Sequence, residues 1–511
     1  MSEGTAAARP ASKWNRRVEA LTERLNPIIV KEIRQGLRTR VFWVCFGLML
    51  LACFVISLVA YAAAMERSLS SPGQVFFFGY FFCLGLVHFF IIPYSAYRSL
   101  AREREEETWV LLSLTGLGAK RIIRGKFGSF FAQALLYGCS AGPFMLFSYY
   151  LNGIDLPTIL TVIALGAAFM VFLTCVSVCA ATLAESRLWR GLVHFLLLAL
   201  LLAATALGLS VAGGLTFDGR RVMNDDGFVP AIAAALWGMI SFGNLMYQAA
   251  AARLSLPTED YAKGPRLALL FQIAGSMALL LWIFFEQHRS YQLVMTGQGV
   301  LVAALFLVGV FMLGGAEPVH EVHFRAKGLS LLRPGAVRSF RFVIALIALT
   351  TAVWTALYGA ADDLPANPEP GLFFILATGA YAALFLSFPV VVARLSGFVA
   401  LNTAVGLRVL TVVVFVLAAS VPPLIGLLVG IRPDDPVLNL FNPLVGSVNF
   451  GAVPWSDESP MSVQMLGVLV IAALLLTVAA DRMLAWREAE GRREREAARL
   501  GPAQSPAPGE G

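Results

Sequence analysis

The sequence predicts an all-α polytopic membrane protein of about twelve transmembrane helices, with both termini in the cytoplasm. Three observations predict it. Of the 511 residues, 58% are hydrophobic and only 14% charged, whereas soluble domains hold roughly 45–50% apolar and about 25% charged residues. Apolar runs recur along the whole chain, each long enough to cross about 30 Å of hydrocarbon. They lie at about 42–65, 74–97, 130–151, 157–183, 191–215, 229–252, 267–285, 298–316, 342–359, 371–393, 409–431 and 461–480. The charges between these runs alternate. With the N-terminus inside, 34 of the 39 Lys and Arg residues fall on the inner side and 5 on the outer side, as the positive-inside rule requires. An odd number of missed spans would scramble that alternation. The net charge of +7 is therefore a property of topology. A basic inner face suits anionic lipid headgroups, and no nucleic-acid partner is needed.

Taken in order, residues 1–13 are small and polar and are expected to be disordered. No cleavable signal peptide is expected, because the first apolar run is too long for a signal h-region. Residues 14–41 read as amphipathic helices at the cytoplasmic interface. Trp14, Val18, Leu21 and Leu25 recur at helical spacing, and "NPIIVKEIRQGLRTR" then places Asn26 at an N-cap and Pro27 at the first helical position. Ile29, Ile33 and Leu37 form one stripe, with Lys31, Arg34 and Arg38 off it, the pattern of a basic helix lying in the membrane interface. Spans one to six make a first half (42–252), and spans seven to twelve a second (253–480). Long inner loops fall at corresponding places, 98–129 and 317–341. The outer loop 432–460 contains "VLNLFNPLVGSVNFG", apolar but broken by Pro443 and glycines; it reads equally as a plain loop or as an interfacial or re-entrant segment. After Asp481 the chain reads as a charged cytosolic helix ending in coil, 481–511. Cys45, Cys53, Cys83, Cys139, Cys175 and Cys179 all fall inside spans and read as small packing residues.

The densest charge lies in "AREREEETWVLLSLTGLGAKRIIRGKF", Ala101 to Phe127. Arg102 and Glu106 are an i,i+4 pair, and Glu103, Glu106 and Glu107 share a face. Val110, Trp109 and Leu112 follow as an apolar patch, Gly116 and Gly118 break the helix, and Lys120, Arg121, Arg124 and Lys126 lead into the third span. This is a helical hairpin at the membrane surface, acidic at one end and basic at the other, suited to docking a soluble partner.

That hairpin resembles the first coupling region of permeases of the export-type (type II) ABC transporter family. The matching residues are Arg102-Glu103-Arg104-Glu105, Thr108, Leu111-Leu112, Leu114-Thr115 and Gly125-Lys126, while Glu107 stands where Gly is commoner and Gly116 where Pro is commoner. The segment with Asn26-Pro27, Lys31-Glu32, Arg34 and Arg38 resembles the elbow helix of the same family. The two motifs stand in family order around a two-span hairpin, and the resemblance covers about residues 26–185. It implies a transport subunit in an inner (plasma) membrane with no catalytic chemistry of its own. ATP and magnesium would sit on a partner ATPase subunit touching Glu103, Glu106, Glu107, Trp109, Leu112 and Lys120. Asn26, Pro27, Lys31, Glu32, Arg34 and Arg38 would form the interface helix. A second permease or a homodimer would complete the assembly. No G-x-x-x-x-G-K-[ST] phosphate loop occurs in the sequence.

Two other classes compete. An ion-coupled secondary transporter needs ionisable groups at mid-membrane, where the spans offer only His88 and His194. A polytopic enzyme acting on a lipid-linked substrate would draw on outer acidic residues: Glu66, Asp225-Asp226, Asp362-Asp363 and Asp434-Asp435. The pairs lie in turn sequence, where Asp is expected in any case. His320 and His323, with Glu317 and Glu321, resemble a metal cluster but lack the H-E-x-x-H spacing.

Overall fold

The computed structural model describes residues 27–66, 72–106, 118–151, 153–183, 187–255, 260–286, 289–313, 330–366, 368–452 and 459–500. Asn26, Glu107, Trp109, Leu112, His320 and His323 lie outside them, as does the N-terminal segment before Pro27. Among the described residues there is no strand, and twelve helices are long and apolar enough to cross a membrane. The chain is thus a multi-pass membrane protein.

A short helix α1 (Pro27–Leu37) precedes the first span. The spans are α2 (Arg40–Glu66), α3 (Pro72–Glu105), α4 (Ala119–Tyr150), α5 (Leu156–Leu183), α6 (Arg187–Met223) and α7 (Phe228–Leu254), then α8 (Lys263–Glu286), α9 (Tyr291–Leu313), α10 (Ala336–Gly359), α11 (Glu369–Leu395) and α12 (Ala404–Val429). After the short helix α13 (Val445–Ala452) comes the last span, α14 (Ser459–Leu500). Local chemistry sets several ends. Thr403 caps α12 by accepting from Gly406 N at 3.0 Å, and Gly430, at φ 79°, ends it in the left-handed conformation that glycine adopts without strain. α3 carries a π turn at Val87–Ile91, just before Pro93, a place where the missing proline N–H already breaks the regular ladder.

The helices form two compact units, one of residues 1–256 with 267–272 and one of 257–266 with 273–511. In the first unit α3 is the hub. Phe77, Tyr80, Phe89, Ile92 and Leu100 along its length are buried in one apolar cluster, with residues of α2, α4, α5, α6 and α7. The π-turn residue Phe89 sits against three glycines: Gly85 of its own helix, Gly166 of α5 and Gly208 of α6. Polar bridges join neighbouring spans: Ser57 and Tyr80 hydroxyls lie 2.9 Å apart, and Tyr137 OH donates to Phe42 O at 3.0 Å.

In the second unit α11 is the hub, clustered with α13 and α14 through Tyr381, Leu384, Phe385, Phe450, Leu466 and Leu469. The segment 432–452 is neither a plain loop nor exposed throughout. Asn439 and Asn442 are fully buried. Pro423 lacks the N–H that would bond Ala419 O one turn back; Asn442 Nδ2 donates to that carbonyl instead, at 3.0 Å. The Asn442 Oδ1 accepts from Leu444 N and Val445 N at 3.0 and 3.1 Å, opening α13. Tyr381 OH donates to Leu440 O at 2.7 Å. Every one of these groups would otherwise be a costly unpaired dipole away from water.

α14 runs on without a break past the apolar stretch. Asp481 takes a two-pronged bond from Arg341, at 2.7 and 2.9 Å. Glu488 accepts from Val337 N at 3.1 Å, capping the start of α10. Arg487 donates to Asn402 O at 2.8 Å, and the Arg394 guanidinium lies 4.4 Å from the Trp486 ring. The charged continuation of α14 is a strut that holds three separate chain ends of the second unit.

Candidate functional site: the charged end of α3

The run Arg102–Glu105 forms the last turn of α3 and Glu106 its C-cap, and the alternating charges point to different neighbours because successive residues lie about 100° apart. Glu103 pairs with Lys126 of α4 at 2.6 Å. Lys126 is 3% exposed, and its ammonium also reaches Glu32 of α1 at 3.4 Å and donates to Ser99 Oγ at 3.0 Å. Arg104 donates to Thr182 O at 2.7 Å and Ala181 O at 3.3 Å. Those carbonyls belong to the last turn of α5, where a helix has no internal donor left and its dipole favours a cation. Glu105 faces Arg190 of α6 at 3.5 Å. Arg102 and Glu106 pair with each other at 2.8 Å, both well exposed.

Three consecutive residues of α3 therefore reach four other helices: Glu103 to α4 and, through Lys126, α1; Arg104 to α5; Glu105 to α6. The Lys126 cluster is the buried centre. A lone buried ammonium would be very unfavourable, but two carboxylates and a hydroxyl around it offset most of the desolvation. Glycines make the approach possible. Ile29 of α1 packs at 3.5 Å from where a Cβ on Gly128 would stand, and a Cβ on Gly36 would collide with the Gln133 amide.

The sequence-proposed residues separate into two groups. Glu103 and Glu32 turn inward onto Lys126, whereas Lys31, Arg34, Arg38, Glu106 and Lys120 are exposed. Pro27 opens α1. The Lys120 carbonyl accepts from Tyr247 OH at 3.2 Å, seating the start of α4 on α7. Sequence reasoning missed Ser99 and Arg190, and named Arg104 and Glu105 only within the motif, without the partners they reach. The signal was present in the strict alternation of charge over Arg102–Glu105, which cannot lie on one helical face.

Elsewhere the chemistry-bearing residues serve local structure. His88 Nε2 lies 3.1 Å from Ala134 O, and His194 packs edge-on to the Tyr94 and Tyr97 rings. Asp225 and Asp435 each cap a turn N–H, at 3.4 and 3.0 Å. Asp362 faces Arg289 at 3.5 Å, and Asp363 accepts from Tyr291 N at 2.6 Å. Among the described residues no group of three or more His, Cys, Asp or Glu is placed to hold a metal ion. No family model, curated protein or solved structure matches the chain.

Proposed function

We propose that this chain is the membrane-spanning permease subunit of an ATP-driven, export-type ABC transporter, driven by a separate ATPase subunit through the hairpin 101–126. The carrying observation is the Lys126 cluster. It joins the outgoing arm of the hairpin (Glu103), the incoming arm (Lys126) and α1 (Glu32) into one charged knot. A push on the segment between the arms would move α1, α3 and α4 together. Through Arg104 and Glu105 it would also reach α5 and α6. The charge asymmetry of the loops supports placing this end in the cytoplasm, where ATP is available. The ATPase would contribute ATP, magnesium and the hydrolytic chemistry, while this chain contributes the translocation path and the lever.

The structure directs the test to the exposed pair of charges. Glu106→Lys and Lys120→Glu change residues that face outward, so the fold is expected to survive. The tagged chain should capture a phosphate-loop ATPase from mild detergent, and the double variant should capture several-fold less at equal membrane levels. Equal capture by both would remove the hairpin from the docking surface. Absence of any such ATPase from the wild-type capture, across several detergents, would overturn the reading.

A further inference from the structure

The turn between α11 and α12 differs from the other connections that the charge pattern assigns to the inner side. Those lie within 98–129, 184–190, 253–266 and 317–341, and each carries both acidic and basic residues. Residues 395–407, "LSGFVALNTAVGL", carry neither. The side chains that stand out from this turn are apolar: Leu395, Phe398 and Val399 are 74%, 67% and 82% exposed. A single exposed apolar residue needs no explanation, but three within five positions of an uncharged turn make a patch. The arginines that bound it are engaged elsewhere. Arg394 lies against the Trp486 ring and 3.4 Å from Glu490, and Arg408 donates to Phe311 O at 2.9 Å.

The backbone of the turn is bonded as it would have to be away from water. Asn402 Nδ2 donates to Ala393 O at 3.0 Å and to Phe398 O at 3.1 Å. Ser396 Oγ also donates to Ala393 O, at 3.0 Å, and Thr403 Oγ1 donates to Ala400 O at 2.8 Å. Arg487 of the α14 strut supplies the donor for Asn402 O. The N–H groups of Ser396, Asn402 and Thr403 bond to Val392, Val399 and Ala400 carbonyls. A turn in water can leave such groups to the solvent, whereas an apolar medium leaves only internal partners. The turn also folds back onto the start of α12, where a Cβ on Gly406 would collide with the Ala400 carbonyl. Its apolar tip is thereby continuous with Val405, Val409, Val412 and Val416, an exposed stripe on one face of a membrane-crossing helix. Acyl chains cover that stripe, and the same acyl chains are within reach of the tip.

We propose that residues 395–400 are a non-spanning anchor that seats Leu395, Phe398 and Val399 among the acyl chains of the inner leaflet, about 5–10 Å deep at the headgroup boundary. Through Arg487 on Asn402 O, this anchor also ties the α14 strut to the membrane surface. The proposal does not rest on the transport reading. The test places p-benzoylphenylalanine, which inserts into nearby C–H bonds on irradiation, at position 398 of the full chain in cells. The same probe at Val412, within the exposed stripe of α12, and at the exposed Arg482 of α14 sets the two limits. After irradiation the chain is purified under denaturing conditions, and fragmentation by mass spectrometry locates each adduct. Position 398 should give acyl-chain adducts of phospholipid in a yield comparable to position 412 and several-fold above position 482. With the probe moved to Val399, the Phe398→Asp substitution should lower the acyl adduct several-fold, because a carboxylate draws the tip toward water; this exposed change leaves the core of the fold untouched. Lipid adducts at position 398 no more abundant than at position 482 would overturn the proposal. Adducts confined to headgroups would overturn the insertion, and adducts to a protein in place of lipid would make the patch a protein-docking surface and overturn it too.

Discussion

Replacing Lys126 by Leu is the sharpest perturbation of the charged knot. The substitution keeps most of the side-chain volume but removes the ammonium that both Glu103 and Glu32 contact; the side chains of these two residues are 21% and 13% exposed. Two largely buried carboxylates are left facing a leucine. Removing one partner of a buried ion pair typically costs about 3–5 kcal/mol; the residual solvent access of both carboxylates places this case near the lower end, about 3 kcal/mol. In a unit of this size that corresponds to a fall in Tm of roughly 6–10 °C. The internal control is Arg102→Ala, which removes an exposed i,i+4 pair and should cost a few tenths of a kcal/mol. A second control, Lys126→Leu/Glu103→Leu, also removes the carboxylate that lies nearest Lys126, at 2.6 Å, and should recover a large part of the loss. Thermal unfolding of the purified variants in one detergent measures all three. If Lys126→Leu melts within about 1 °C of Arg102→Ala, the knot does not organise the hairpin and the reasoning fails.

Other consequences follow from the packing. Asn442→Ala should cost about 2–3 kcal/mol, because it orphans the Ala419 carbonyl and uncaps α13. Adding Pro423→Ala should return part of that, since the new N–H can retake the carbonyl, and a double-mutant cycle by thermal unfolding reads the coupling. Gly208→Ala places a methyl 2.9 Å from Phe89 and Phe169 ring atoms and should lower stability by about 1–3 kcal/mol. Gly214→Ala, with open space around it, should not, and comparing the two melting temperatures decides. Removal of residues 487–511 should raise hydrogen exchange at the start of α10 and at 400–402, because Glu488 and Arg487 hold those chain ends; unchanged exchange there would deny the strut.

The spans were legible because a bilayer imposes a length and a polarity that few other environments demand, so twelve apolar runs in sequence become twelve long helices in space. Their ends were less legible. The second apolar run reads to residue 97, yet α3 runs unbroken to Glu105; the third reads from 130, yet α4 begins at Ala119. In both cases charged turns continue the helix, and Glu103, Arg104, Glu105 and Lys126 find partners on other helices, which hydropathy cannot see. The charged helix expected after Asp481 is continuous with the last span in α14, and contacts to Arg341, Arg394 and Asn402, not visible in the sequence, hold it. Charge density draws attention to the hairpin in the sequence, but the division between inward Glu103 and outward Glu106 depends on where Lys126 lies in three dimensions. The asparagine network of 432–452 left a faint mark in sequence, an apolar run punctuated by Asn439, Asn442 and Asn449, but the role of Asn442 becomes visible only beside Pro423.

The central claim is that the hairpin end of this chain engages an ATPase. The most direct measurement places a photo-crosslinking amino acid at Lys120 and, as a control, at Asp362, an exposed residue of a loop that the positive-inside rule predicts to be outside, in cells expressing the full chain. After irradiation, adducts are purified under denaturing conditions and identified by mass spectrometry. The account predicts a phosphate-loop ATPase crosslinked from position 120 and absent from position 362. Adducts from position 120 that contain no nucleotide-hydrolysing protein, at labelling efficiency matched to the control, would contradict it.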